Sequence, residues 1–379
     1  MTPDNGSHKG RRSVLKLTGA VLGGSALAGC SGQGGSSDQT ATSGGSGSGG
    51  NSGGGSGGGE STATMTEAAP SYEAQIPEAH IEMGTIPHLA AVREMMPSNT
   101  DGRMSGSVRR FENVRLIITA LNAGSVDTYT NAPANLYFSQ AAGNDYRIVG
   151  PKVMGTDYYI VGHSEQAPTL ESFVERPDEL TFAINQPGNI DHLQVVGVYD
   201  QEGLDFTKAS TVNVGGSSGR ISSFLSGRTQ GFTCHIEQFE RLQSEGEPVK
   251  LLARVSEYFP QFVQSCLAVP AESLEDPNFE AFVQEYVKAN MQANQRAMND
   301  FDWVFENLQA YQAQPLDREE ARGAYDILAG EMEAWATNFP KEPFQSVYDM
   351  LRNSGQLERE LDIDTIFEPK YAEQAMSEL

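Results

Sequence analysis

Two kinds of apolar period take turns between Ile81 and Val255, and this alternation constrains the fold more than any other feature of the chain. Ala79 to Gly84 reads as a first strand, and its loop, Gly84 to His88, leads into a short helix on Leu89, Val92 and Met96. Met104 to Arg110 is a weak second strand. Val114, Ile117, Ile118 and Leu121 recur as one helix face, and Gly124 stops that helix. Val126 to Thr130 is a short strand, Asn131-Ala132-Pro133 opens another helix, and Tyr146 to Gly150 and Tyr158 to Gly162 are strands. The pattern then restarts. Strands at Leu180 to Ile184, Thr211 to Val214, Gly231 to Cys234 and Val249 to Val255 alternate with helices at Ile190 to Tyr199, around Ile221 to Leu225, and at Ile236 to Glu245. Such alternation predicts α/β layers on a mostly parallel sheet. Ile118–Thr130 aligns without gaps on Ile221–Thr233, each a helix end, a glycine stop and a strand, so each half is expected to be its own lobe.

From Asp276 onward the composition turns helical. Asp276-Pro277 is an N-cap followed by proline at the first helical position. Phe279, Phe282, Val283, Tyr286, Val287 and Met291 then hold one face. Further helices are expected around Trp303–Tyr311, Asp317–Ala336, Pro343–Ser354 and Lys370–Leu379.

The first 75 residues are of another kind. Arg11-Arg12 precedes the apolar run Val14 to Ala28, which is shorter than the roughly 20 residues a membrane span needs. The run ends in Leu27-Ala28-Gly29-Cys30. Twin arginines, a short apolar segment and small residues before a cysteine resemble a twin-arginine lipoprotein signal, 1–29, with lipid attached at Cys30. Residues 30–75 are mostly Gly, Ser and Thr, too poor in apolar groups to offset ordering entropy, and read as a disordered tether. Forty such residues reach roughly 35 Å. The expected location is the extracellular face of the cell membrane.

Charge narrows the partners. The 379-residue chain carries Lys+Arg 26 against Asp+Glu 50, a net charge of −24. Loss of 1–29, with Lys9, Arg11, Arg12 and Lys16 against Asp4, makes the mature chain more negative still. That excludes nucleic acid as an electrostatic partner. An acidic, lysine-poor surface stays hydrated at molar salt, where charges are screened within roughly 3 Å, and resembles an extracellular protein of a halophilic archaeon. Of the three cysteines, Cys234 and Cys266 sit among apolar or small residues and are expected to be buried free thiols.

Residues 113–270 then supply a family resemblance. Ala120 to Asp127 is a helix ending in leucine, small residues and Gly, then an acidic residue. Gln186-Pro187-Gly188-Asn189 is a turn after a strand, and Gly203-Leu204-Asp205 leads to Val212-Asn213-Val214. Phe232 to Gly246 holds a strand, a helix and Glu-Gly, and the chain closes with Leu351–Gly355, Leu357, Asp362-Ile363-Asp364 and Phe367–Ala375. In this order the segments resemble the solute-binding proteins of ABC importers of the nitrate/sulfonate/taurine type, a group that includes receptors for a thiamine pyrimidine precursor. The chain departs from the family pattern in its first strand, which lacks an aromatic-rich opening, at His235-Ile236-Glu237 in place of Trp-Glu-Pro, and at Arg176-Pro177-Asp178 in place of a Gly-Lys turn.

The resemblance implies a two-lobed type 2 periplasmic-binding-protein fold with a helical C-terminal part. Lobe one would be 76–161 plus 263–379 and lobe two 162–262, with crossovers near Val161–Ser164 and Tyr258–Gln264. It implies a lipid-anchored monomer that traps a small solute and delivers it to a membrane permease. Ligands of open α/β sheets bind beyond the carboxyl ends of strands. The expected ligand residues are therefore Thr85, His88, Thr130, Asn131, Asn185, Gly188, Asn189, Gly216, Ser217, Ser218, His235 and Glu237. Helix starts in these loops suit an anion such as a sulfonate, carboxylate or nitrate. Their Asn, Thr, Ser and Gln side chains suit a neutral heterocycle equally. Neither metal nor cofactor is expected, since His88, His192 and His235 fit no compact ligand spacing and there is no HExxH. Nor is catalysis, since Gly215-Gly216-Ser217-Ser218-Gly219 is not a nucleophile elbow. Two alternatives stay open: an enzyme of pyrimidine or menaquinone-precursor chemistry on the same fold, and a lipoprotein that senses its ligand. The pyrimidine synthases carry a Cys-rich iron site that this chain lacks.

Overall fold

Order begins earlier than the sequence pattern suggests. The first strand is Tyr72–Glu78 (β1), not 79–84, and Tyr72 to Gln75 belong to it rather than to a tether. Ala74 and Ile76 are buried, and β1 pairs in parallel with Met104–Arg110 (β2), Ile76 opposite Val108. A computed structural model describes residues 69–79, 81–311 and 316–379. The signal, Cys30, most of the tether and His80 lie outside the described residues. Met83 to Thr85 forms a tight helical turn instead of a strand end. It runs into Ile86–Ala90 (α1), a π-helical turn at Ala91–Met95, and Met96–Asn99 (α2).

Helices Val114–Asn122 (α3) and Pro133–Ala141 (α4) follow. Asn113 caps α3 by accepting from Leu116 N at 3.2 Å, and Pro133 opens α4 where its missing N–H costs nothing. The strand expected at 126–130 is reduced to one bridge, Tyr129 to Ala268. Of the two aligned segments, both have the helix and the positive-φ glycine (Gly124, Gly227), but only the second has the strand. Tyr146–Met154 (β3) pairs antiparallel with Val263–Pro270 (β9).

The chain leaves this sheet at residues 155–157, earlier than the expected 161–164, and enters a second one at Tyr158–His163 (β4). After the short helix Glu171–Glu175 (α5) come Thr181–Ile184 (β5), Ile190–Gln201 (α6), Ser210–Asn213 (β6), Ser217–Leu225 (α7), Gly231–His235 (β7), Ile236–Ser244 (α8), Val249–Arg254 (β8) and Val255–Tyr258 (α9). The five strands lie in the order β6-β5-β7-β4-β8. This sheet is mixed, not mostly parallel. β5 is parallel to β6 and β7, where helices make the connections, but β4 is antiparallel to both neighbours. β4 arrives directly from β3 without a crossover helix, so no right-handed βαβ rule fixes its direction. One apolar cluster between residues 160 and 255 includes Phe173, Phe182, Val195, Tyr199 and Phe206, with Phe182 edge-on to both Phe173 and Phe206.

The C-terminal part is helical as expected: Pro277–Ala297 (α10), Phe301–Tyr311 (α11), Arg318–Asp326 (α12), Glu342–Asn353 (α13), Ile363–Ile366 (α14) and Lys370–Glu378 (α15). Asp276 caps α10, accepting from Asn278 N at 2.9 Å. The six expected face residues of α10 are all buried. At roughly 1.5–3 kcal/mol per large side chain buried, this stripe fixes α10 against β3 and α15. α12 packs on α8, and Arg254 at the end of β8 pairs with Glu331 at 2.8 Å. No helix among the described residues is long and apolar enough to cross a membrane.

Candidate ligand-binding site

A cavity of about 440 Å³ opens where strand ends and helix starts converge. One wall comes from the end of β1 (Glu78, then Glu82 and Thr85) and from the starts of α3 (Asn113 to Arg115) and α4 (Asn131, Ala132, Asn135). The facing wall comes from Tyr158 on β4, from Asn185, Gln186 and Asn189 between β5 and α6, and from Gly215 and Gly216 before α7. Lys152 on β3 and Gln264 and Ser265 on β9 complete it. Four helices thus begin at this space, and the residues between strands and helices are mostly amides. This is the crevice position that open α/β sheets offer to ligands.

Beneath the first wall lies a buried charge network. Lys152 Nζ donates to Glu78 Oε2 at 2.5 Å and to the Thr130 carbonyl at 2.9 Å. His88 Nδ1 lies 3.4 Å from Glu78 Oε2, and its Nε2 is 2.6 Å from the Tyr286 hydroxyl. Burial opposes the Glu78 charge, but Lys152 and His88 outweigh it and hold the carboxyl below its usual range. Burial and the adjacent Lys152 push His88 down to about 4, so its ring is neutral.

A second network spans the two walls. His235 donates from Nδ1 to Asp157 Oδ1 at 2.9 Å, and its Nε2 lies 3.3 Å from Glu82 Oε2. Burial alone would lower the imidazole, but Asp157 and Glu82 outweigh it and hold His235 up at about 10. Burial, with Asp157 and Glu237 close by, pushes Glu82 up to about 8. Glu237 is likewise raised by burial to about 7. His235 is also the N-cap of α8, so the imidazolium secures that helix start to the 155–157 passage. Among the described residues no group of His, Cys, Asp and Glu could hold a metal ion.

Arg220 braces the facing wall from below. It is 1% exposed, and every arm of its guanidinium is used. Nε donates to the Thr233 carbonyl at 2.8 Å and Nη1 to Asp191 Oδ2 at 3.0 Å. Nη1 also reaches the Gly215 carbonyl at 3.2 Å, and Nη2 reaches Ser217 Oγ at 3.0 Å. One side chain therefore ties β7 to the first turns of α6 and α7, which carry Asn189 and Gly216 to the cavity. Gly219 permits this closeness, since a Cβ there would meet the Val214 carbonyl.

The mouth is bridged. Turned with its oxygen toward α3, the Gln186 amide accepts from Arg115 Nε at 3.2 Å and Nη2 at 3.3 Å. Beyond this bridge lies an outer cavity of about 520 Å³ over Ile118, Phe138 and Pro187. Gly188, at φ +81°, turns the chain there against Gln356, whose amide a Cβ would strike.

Of the expected residues, the structure brings Thr85, Asn131, Asn185, Asn189 and Gly216 onto the inner cavity. Gly188 lines the outer one. His88, Thr130, His235 and Glu237 are buried behind the walls, held in the charge networks rather than presented to the space. Ser217 is engaged by Arg220, and Ser218 is exposed and outside the lining. Sequence reasoning missed Glu78, Glu82, Lys152, Asn135 and the Arg115–Gln186 bridge. Lys152 carried a usable signal: a lysine among the apolar and small residues of the strand segment 148–154, in a lysine-poor chain. Arg220 carried a similar one, beside Ile221 on a helix face that ends at Phe224. Cys234 and Cys266 are free and buried, as expected.

No family model matches the chain. No curated protein matches it either. Solved structures do resemble it. The ligand-binding component of an ABC-type import system from Staphylococcus aureus, with zinc bound, superposes with a TM-score of 0.65 at 16% identity, over 80% of this chain and 98% of that one. A putative periplasmic sulfonate-binding protein, SsuA from Methylobacillus flagellatus KT, gives 0.65 at 14% identity, over 82% and 95%. The periplasmic nitrate-binding protein NrtA from Synechocystis PCC 6803 gives 0.61 at 13%, over 82% and 89%. The chain has the α/β fold of the periplasmic binding proteins.

Proposed function

We propose that this protein is a solute receptor of an ABC importer, anchored by a lipid at Cys30 to the outer face of the cell membrane after twin-arginine export. It works as a monomer on its Gly/Ser tether, and a membrane permease is its partner. The carrying observation is the cavity itself: amide-rich walls drawn from three separate sheets, set at strand ends and helix starts and bridged at the mouth by Arg115 and Gln186. Similarity of fold to import-system binding proteins supports the same reading. The sheets belong to two lobes that meet at 155–157 and 255–262, and a solute between them stabilises the closed state by binding both walls at once. Thr85, Asn131 and Asn135 contact it from one side, Asn185, Asn189 and Gly216 from the other.

The protein binds without turnover. His235 and Asp157 have the spacing of a catalytic dyad, but His235 is enclosed between Asp157 and Glu82, and the Ser217 hydroxyl is committed to Arg220. The test is thermal unfolding of the full chain in molar salt with nitrate, sulfonates, carboxylates, pyrimidines and flavins. Chromatography of each compound afterwards checks for conversion. A raised melting temperature with the compound recovered intact is expected. Product formation, or indifference to every small molecule, overturns the receptor.

A further inference from the structure

The inner cavity has a polarity that bears on what it selects. Glu78 lines it and is 1% exposed. One carboxylate oxygen holds Lys152, while the other, Oε1, has no hydrogen-bond partner. Ser265 Oγ, on β9, is also buried without a partner and belongs to the same lining. A carboxylate oxygen only accepts, and a buried acceptor left empty is costly. Glu82 brings a second carboxyl group to the same wall.

Cations that would serve an oxyanion are committed elsewhere. Lys152 gives two of its three N–H donors to Glu78 and the Thr130 carbonyl, and its charge is matched by the Glu78 carboxylate. Arg115 is exposed at the mouth, bonded to Gln186, with Glu112 lining the same opening. Helix starts attract anions, but Asn113 and Asn189 already cap α3 and α6 with their own side chains, and Pro133 removes a donor from α4. α4 and α7 open at Ala132 and Gly216 without a side-chain cap, and α7, with no proline in its first turn, keeps the fuller set of free amides. An oxyanion on the floor would lie against carboxylate oxygen.

We infer that the cavity floor at Glu78 and Ser265 is a subsite for a nitrogen-bearing hydrogen-bond donor, an ammonium, amidinium or ring amino group, so that the solute is neutral or cationic rather than a simple oxyanion. The inference rests on the receptor reading and narrows it. The donor points an N–H at Glu78 Oε1, Ser265 Oγ takes a second polar contact, and the far end of the solute meets the amides of Asn185 and Asn189 and the start of α7.

The experiment is titration calorimetry on the full chain in molar potassium chloride. The nitrogen donors are benzamidine, 4-aminopyrimidine and 2-aminoethanol; the oxyanions are nitrate, ethanesulfonate and acetate. At least one nitrogen donor is expected to bind, and none of the oxyanions. The double variant Glu78→Gln/Lys152→Met removes the carboxylate together with its buried cation and is expected to weaken donor binding at least ten-fold. Ser265→Ala leaves the ion pair in place and is expected to weaken it several-fold, which keeps the test open should the double variant not fold. Binding of an oxyanion with silence of the donors overturns the inference and leaves the receptor standing. So does donor binding unchanged in the variants, or silence of the donors while some other solute stabilises the chain. Silence of every small molecule overturns both.

Discussion

Single side chains hold this cavity in shape, and the two that matter most are buried cations. Removing one partner of a buried pair leaves an uncompensated charge, at a cost of roughly 3–5 kcal/mol. Arg220→Met should therefore destabilise the protein by about that amount, because Asp191 stays behind in the core. Denaturant unfolding checks this, and a second change, Asp191→Asn, should restore part of the loss. Titration follows from the same burial. His235 is held up at about 10 and Glu82 at about 8, both above their unfolded values. Each favours the folded state while protonated, so its contribution is complete below the unfolded pKa and is lost as pH rises through the folded one. Glu78 and His88 are lowered, so their contributions are lost on the acid side. Melting temperature should hence fall as pH rises from the ordinary imidazole value of 6.5 toward about 10 through His235, and Glu82→Gln should remove the part of the fall that Glu82 contributes below about 8. Neither the lysine nor the arginine brace follows from periodicity. A polar residue inside an apolar strand or helix face signals burial with a partner, but the partner is set by the tertiary fold.

Elements were legible in proportion to how local their signals are. α10 is announced by its Asp-Pro cap and its apolar stripe, both short-range, and it stands where those place it. β1 begins earlier than composition suggests, because Ala79 to Met83 has strand-like residues while Tyr72 to Glu78 gains its order by pairing with β2, a partner some thirty residues on. Tyr129 illustrates the opposite error. Its segment has a strand's residues, yet only one bridge to β9 forms, since the chain is already turning into α4. The mixed direction of the five-stranded sheet was also out of reach, because direct entry of β4 from β3 leaves no mark in the alternation of elements. The start of α7 makes the element-scale prediction. Gly219→Ala places a methyl group against the Val214 carbonyl, and the helix start must shift. A loss of roughly 1–3 kcal/mol is expected for such overpacking, measured by thermal unfolding.

At the scale of the whole molecule, the expected α/β class and periplasmic-binding-protein fold hold, and the cavity occupies the strand-end crevice that such sheets provide. Most of the loops expected from sequence border the cavity. Within them a residue can face the space or the core, and only packing decides: Asn189 faces the cavity, while His235, also a helix N-cap, is buried against Asp157. The central claim is that a small solute is held by both walls together. Its most direct measurement is calorimetric affinity for the compound that stabilises the full chain most strongly, compared with two single variants. Asn135→Leu alters the wall built on α4, and Asn185→Leu alters the wall beyond β5. Each is predicted to weaken binding at least ten-fold, roughly 1.4 kcal/mol, because neither wall alone retains the solute. Unchanged affinity in either variant would contradict the account.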